Sequence, residues 1–242
     1  QSRGGLILDL LSLCSNEFKS SKEKCLFNND EKKFFENLGR NEDIEEINEI
    51  EKKLKKINVR VTQCIRVACP GFGTSILGEN LNHFFNSAFL LAKFIPGLQS
   101  GAIDLIEELA IATINMKNNE NALPGLENMN PESPFLKLIN LTKLNSKIKT
   151  LFFAGNAEVG SGIWHSIKAL VLTNFIFERQ NDFVVDTSSM SRGAIRSITP
   201  YYYLNEGEEV QHHNYFKNEI SQNLLINCLE KGIENVSGIR LL

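Results

Sequence analysis

Hydrophobic positions along this 242-residue chain alternate between helical and extended spacing. Leu6-Ile7-Leu8-Asp9-Leu10-Leu11 is an apolar, helix-compatible run directly after two glycines. A polar, Lys/Glu/Asn-rich stretch runs from Ser15 to Asn58. Within it Ile44, Ile47, Ile50, Leu54 and Ile57 recur at three- and four-residue steps, which predicts an amphipathic helix packed on a sheet. Val59 to Cys69 is strand-like through Val59, Val61, Ile65 and Val67, and Pro70-Gly71-Phe72-Gly73 ends it. Two strongly apolar helical segments follow, Leu81 to Ile95 and Ala102 to Met116, separated by Pro96-Gly97. Leu123-Pro124-Gly125-Leu126 is a turn, and Ser133 is placed to cap a helix from Phe135 to Leu144. Thr150-Leu151-Phe152-Phe153-Ala154 is a continuous apolar run of the kind a buried parallel strand needs. Gly160 to Gly162 opens a helical segment carrying Trp164, Ile167, Leu170, Val171 and Phe175. Ile195 to Leu204 serves as a last strand and Tyr215 to Leu229 as a closing helix. Strands alternating with helices predict an α/β fold with a mostly parallel sheet flanked by helices.

Composition narrows the classes without naming a function. A hydrophobic content of 42% in a chain of this length supports one domain with a full core. A net charge of −3 argues against nucleic acid as a partner. Cys14, Cys25, Cys64, Cys69 and Cys228 form no C-x-x-C pair and no metal spacing, so neither a disulfide frame nor a metal site is expected. Scattered thiols fit a reducing, cytoplasmic setting. No uncharged apolar stretch approaches the roughly 20 residues that span a bilayer. His83 and His165 read as structural histidines.

The chemistry-bearing signal begins at the first residues. Ser2-Arg3-Gly4 supplies the S-x-G of the G-x-S-x-G nucleophile elbow, a sharp strand-to-helix turn that lifts a serine Oγ above a sheet. An acid and a histidine follow in the order Ser, Asp, His: Asn181-Asp182 before Phe183-Val184-Val185-Asp186, then His212-His213-Asn214-Tyr215-Phe216. Beside this stands a plainer account, in which Asn181-Asp182 is a turn opening a strand and the two histidines lie in a polar loop. Gly71-Phe72-Gly73-Thr74 lacks the G-K-[ST] ending of a phosphate loop, which excludes a nucleotide site of that kind. Cys69, in an apolar strand, is not read as a nucleophile.

Taken in order, Ser2-Arg3-Gly4-Gly5, Val67-Ala68-Cys69-Pro70 with Gly73-Thr74, Leu123-Pro124-Gly125-Leu126 with Met129 and Ser133-Pro134, Asn181-Asp182-x-Val184-Val185, and His212-x-x-Tyr215-Phe216 resemble the lipase-like serine α/β-hydrolases. The likeness is to a bacterial group loosely similar to the inositol deacylases of glycolipid anchors, and it spans nearly the whole chain. It implies Ser2 as nucleophile, His212 as general base with His213 as the alternate, and Asp182 as the orienting acid with Asp186 as the fallback. The backbone N–H of Arg3 is then one oxyanion-hole donor. It also implies that residues 1–242 are the C-terminal part of one α/β-hydrolase domain. The elbow follows the fifth strand, and the N-terminal strands and the second oxyanion donor lie upstream, in another part of the same hydrolase. The two apolar segments become a helical cap around 78–146. The expected activity is hydrolysis of carboxylic esters, on a small-molecule or lipid ester substrate, with no cofactor. An inactive hydrolase-like interaction or regulatory module is the alternative, and an amidase or acyltransferase using the same triad is a third reading.

Overall fold

The structure is a computed structural model, and it describes residues 1–13, 15, 27–56, 60–75, 128–144, 147–158, 180–182, 184–212 and 214–242. Helices α1 (Gly4–Leu13), α2 (Asn29–Asn37) and α3 (Asn41–Lys56) precede strand β1 (Gln63–Val67). Helix α4 (Pro134–Leu141) leads through β2 (Lys143–Leu144) to β3 (Lys149–Ala157). The short helix α5 (Thr187–Met190), β4 (Ile195–Arg196), β5 (Tyr201–Gly207), α6 (Glu219–Lys231) and β6 (Arg240–Leu241) complete the described elements.

Four strands form the main sheet in the order β1-β3-β5-β6. β1 and β3 run parallel with Val67 opposite Phe153. β3 and β5 run parallel with Phe153 opposite Tyr203, and among the described residues only the β5–β6 pair of this sheet is antiparallel. The chain is therefore an α/β protein with a mostly parallel sheet. β3 is buried over almost its whole length, as a strand covered on both faces must be. Its alternation divides the core. Leu151 and Phe153 face a cluster with Val185, Met190, Tyr215, Leu224 and Cys228, which is the side of α6. Phe152 faces the other way, beneath the guanidinium groups of Arg66 and Arg196, which lie 5.0 and 4.9 Å from its ring centroid. A second apolar cluster joins α1, α2, α3 and α4 through Leu13, Phe35, Ile47, Leu138 and Ile139.

The amphipathic helix expected from Ile44, Ile47, Ile50 and Leu54 is α3, but its buried face meets the other helices instead of the sheet and leaves Ile50 exposed; the helix after the Ser2 turn is α1. Other boundaries move. The strand expected over Val59 to Cys69 is confined to Gln63–Val67, since Ala68 takes a φ of 47° and turns the chain out of the sheet. Ile195 to Leu204 is not one strand. Ile195–Arg196 pairs with β2 in a separate two-stranded sheet, and the main-sheet strand starts only at Tyr201, immediately after Pro200. β6, not β5, is the edge. The closing helix begins at Glu219 behind an Asn218 cap whose side chain accepts from the Ser221 amide, which leaves Tyr215 in the preceding turn. Ser133 occupies the N-cap of α4, but its hydroxyl caps nothing and has no partner among the described residues. The apolar segments expected as a cap fall mostly at 76–127, outside the described residues, as do the segment 160–175, His83, His165, Cys14 and Cys25.

Helix α1 meets β1 closely enough to make one glycine obligatory. A Cβ on Gly5 would lie 2.6 Å from Cys69 Cβ and 3.2 Å from Arg66 Nε, whereas a Cβ on Gly4 would meet nothing within 4 Å. The steric demand therefore falls on Gly5, one residue beyond the glycine of the S-x-G pattern. Gly5→Ala is expected to destabilise the fold by about 1–3 kcal/mol through overpacking. Gly4→Ala, in an open helical position, is expected to be neutral or to stabilise by up to about 1 kcal/mol. Urea unfolding of the two variants reads the difference, and equal midpoints would contradict this account of the contact.

Candidate active site

The turn at residues 1–5 has the backbone of a strained elbow. Ser2 has a φ of 50°, a left-handed conformation that serine adopts at a cost. The Ser2 amide donates to the Val67 carbonyl at the end of β1 (3.0 Å), which fixes the turn over the C-terminal edge of the sheet. Ala68, the other non-glycine residue with positive φ, donates from its amide to Phe153 at the end of the adjacent register. Gly4 N–H donates to Gln1 O and Gly5 N–H to Ser2 O, both at 3.0 Å, so these amides close the turn. The Arg3 amide has no acceptor among the described residues, and it stands at the N-terminus of α1.

Asp182 is wholly buried beside the C-terminal end of β3, where the Ala157 amide donates to the Asn181 carbonyl at 2.8 Å. Its Oδ1 accepts from the amides of Val184 (3.2 Å) and Val185 (2.8 Å). Its Oδ2 contacts His212 Nδ1 at 2.8 Å and accepts from the Tyr215 hydroxyl at 3.0 Å. A carboxylate can stay ionised out of water when both oxygens are met in this way. The His212 amide also donates to the Asp182 carbonyl (3.0 Å), so the two segments are stitched together by backbone and side chain. With Nδ1 donating to the acid, the imidazole presents Nε2 as an acceptor. Burial, reinforced by the Asp182 charge, pushes the Tyr215 phenol far above its ordinary range, so it remains a donor.

The elbow joins this pair through Gln1, whose side-chain amide donates to the His212 carbonyl. The Ser2 hydroxyl makes no hydrogen bond among the described residues, and neither does His212 Nε2. The sequence-read residues are thus brought together unequally: Asp182 and His212 touch, while Ser2 is tied to them through its neighbour. The Asp186 carboxylate is spent elsewhere, accepting from the Ser75 amide (3.0 Å) and hydroxyl (3.1 Å), and does not reach His212. His213 lies outside the described residues. The plainer expectation of a strand opening at Asn181-Asp182 fails, because Asn181 and Asp186 make only an isolated bridge before α5.

A cleft of about 570 Å³ opens beside the elbow and is lined by Gln1, Ser2, Arg3, Gly4, Leu6, Ile7, Leu10, Asn128 and Phe135. Its wall is chiefly apolar and includes the serine and Arg3. A larger recess of about 840 Å³, between α5 and β6, contains none of the sequence-read residues. No group of His, Cys, Asp or Glu able to hold a metal occurs among the described residues. No helix among them is long and apolar enough to cross a membrane.

Behind the elbow lies a charged cluster that hydrophobic patterning alone does not reveal. Asp9 of α1 faces Arg66 Nη1 at 3.4 Å, accepts from Arg196 and receives the Ala194 amide at 3.3 Å, and all three side chains are buried. Arg66 Nη1 also donates to the Arg192 carbonyl (2.6 Å) and Nη2 to Cys69 Sγ (2.9 Å). Cys69 thus has a basic neighbour only three residues away along the chain. Burial nevertheless raises its thiol above the usual range, with Arg66 opposing, and it has no route to solvent. The only sequence signal for this cluster was a lone aspartate inside an apolar run.

The fold and this site define an α/β protein with an Asp–His pair and a strained serine turn at one end of a parallel sheet. Residues 45–230 match the family described as Domain of unknown function (DUF7379), and the chain belongs to that family. The match includes Asp182 and His212 and leaves the elbow outside it. No curated protein and no solved structure matches the chain.

Proposed function

We propose that this chain carries the catalytic triad of a serine α/β-hydrolase that cleaves carboxylic esters through an acyl-enzyme. The observation that carries the reading is the contact of the buried Asp182 with His212 beside a serine held at positive φ. His212 Nε2 takes the Ser2 proton as Oγ attacks the ester carbonyl, and it later returns that proton to the leaving alcohol. Water, activated by the same nitrogen, then releases the acid. Asp182 fixes the imidazole and stabilises it once protonated. The Arg3 amide offers one donor to the developing oxyanion, supported by the positive end of α1. The apolar wall of Leu6, Ile7, Leu10 and Phe135 favours an acyl chain over a charged group as the bound moiety.

One observation favours a non-catalytic, hydrolase-like binding module instead: the Ser2 hydroxyl makes no hydrogen bond to His212. Catalytic contacts often close only with substrate bound, so reactivity is the deciding property. A fluorophosphonate probe applied to the protein made from its whole reading frame, with the adduct mapped by mass spectrometry, measures it. An adduct on Ser2 is expected, with loss of at least about a thousandfold in labelling rate for Ser2→Ala. A folded protein that takes no adduct on Ser2 overturns the hydrolase reading and leaves the binding module.

A further inference from the structure

The turn that carries His212 also carries Tyr215, and both side chains end on one atom. His212 Nδ1 and the Tyr215 hydroxyl converge on Asp182 Oδ2 at 2.8 and 3.0 Å, while Oδ1 is held by two amides. A buried phenol needs an acceptor, and a backbone carbonyl would have met that need. Here the acceptor is the oxygen that orients the imidazole. The fold makes room for this contact. Gly155 lies on β3 where a Cβ would overlap the Tyr215 hydroxyl and come within 2.8 Å of its Cζ and of Val210 Cγ1. The ring is steadied edge-on by Phe153, with centroids 5.6 Å apart.

We propose that Tyr215 is a positioning residue that, through its bond to Asp182 Oδ2, sets both the direction of the carboxylate and the basicity of His212. The proposal rests on the reading of Asp182 and His212 as acid and base. With two donors on each side, the carboxylate plane cannot rotate away from the imidazole. The shared hydroxyl also draws off part of the negative charge that would otherwise stabilise the imidazolium. The groups facing the carboxylate are His212, Tyr215 and the Val184 and Val185 amides, so the hydroxyl is the neutral donor whose removal changes the charge felt by the imidazole.

The sign follows directly. Tyr215→Phe leaves more charge on Oδ2, favours protonated His212 and moves its titration midpoint upward. A ring-fluorinated tyrosine placed at 215 keeps the side chain's shape, donates more strongly and moves the midpoint downward. The test is the NMR titration of the His212 imidazole in the full-length protein, assigned with a His212→Gln variant. The pH profile of fluorophosphonate labelling at Ser2 is recorded in parallel. Opposite shifts for the two substitutions are expected. A folded Tyr215→Phe protein with an unmoved midpoint overturns the proposal, since a structural phenol alters thermal stability but not the titration. If the phenylalanine variant fails to fold, the fluorinated protein decides, and an unmoved midpoint there is equally adverse. The two readings separate cleanly. Absent labelling with the shifts present removes the hydrolase reading and keeps the coupling, while labelling with unmoved midpoints does the reverse.

Discussion

Asp182→Asn is expected to lower the labelling rate of Ser2 by about a thousand- to ten-thousandfold while the protein stays folded. The asparagine carbonyl can still accept from the Val184 and Val185 amides, which fixes the direction of the side chain. Its NH2 group then faces His212 Nδ1 and the Tyr215 hydroxyl, both of which now donate to the acid. Two donors cannot share a hydrogen bond. The imidazole is therefore driven to the tautomer that accepts at Nδ1, and Nε2 carries the proton. A ring in that state cannot take a proton from Ser2. The rate of adduct formation on Ser2, measured beside the melting temperature, separates lost reactivity from lost structure. A folded variant labelled within about tenfold of the wild type would remove Asp182 from the role of acid.

The largest expected effect on stability comes from Asp9. Its carboxylate is the counter-charge for Arg66 and Arg196, and the side chains of the three are exposed by 1%, 0% and 5%. Removing one member of a buried ion network leaves the others desolvated and unpaired, at a cost of about 3–5 kcal/mol. Asp9→Ala is expected to lose stability in that range in urea unfolding. Adding Arg66→Met to it should restore part of the loss, because one of the two uncompensated charges is then gone and the apolar side chain still covers Phe152, while Arg196 stays without its counter-charge. The consequence reaches the site, since Asp9 docks α1 and α1 begins at the elbow. A loss below about 1 kcal/mol for Asp9→Ala would show that the cluster contributes packing alone.

Local pattern carried the helices and the buried strand. Ile44, Ile47, Ile50 and Leu54 lie on one stripe because a helix repeats every 3.6 residues, and the apolar run at Thr150 to Ala154 is continuous because β3 is covered on both faces. The order Ser2, Asp182, His212 was visible too, as a matter of residue types and succession. Where those side chains meet was not visible. Asp182 and His212 touch because β3 and β5 are parallel neighbours, with Asn181 held at the C-terminal end of β3 and the chain after β5 leaving at the same end of the sheet. That adjacency is a fact of strand order, on which spacing along the chain is silent.

The misplaced boundaries have the same origin. Ile195 to Leu204 reads as one strand from its β-branched and aromatic content, yet Arg196 is drawn aside to Asp9 and Ile195–Arg196 pairs with β2. The obligatory glycine is Gly5 and not Gly4 because the third dimension brings Cys69 there. Gly155, Tyr215, Asp9 and Arg66 were ordinary residues in the sequence and became specific through contacts made across up to 187 positions. The sequence by itself determined which segments could be helix or strand and which side chains could do chemistry, because hydrophobic period and functional-group type are local properties. Only the tertiary structure decided which of those groups share a hydrogen bond, because a buried charge or phenol takes its partner from whatever strand order brings within about 3 Å of it.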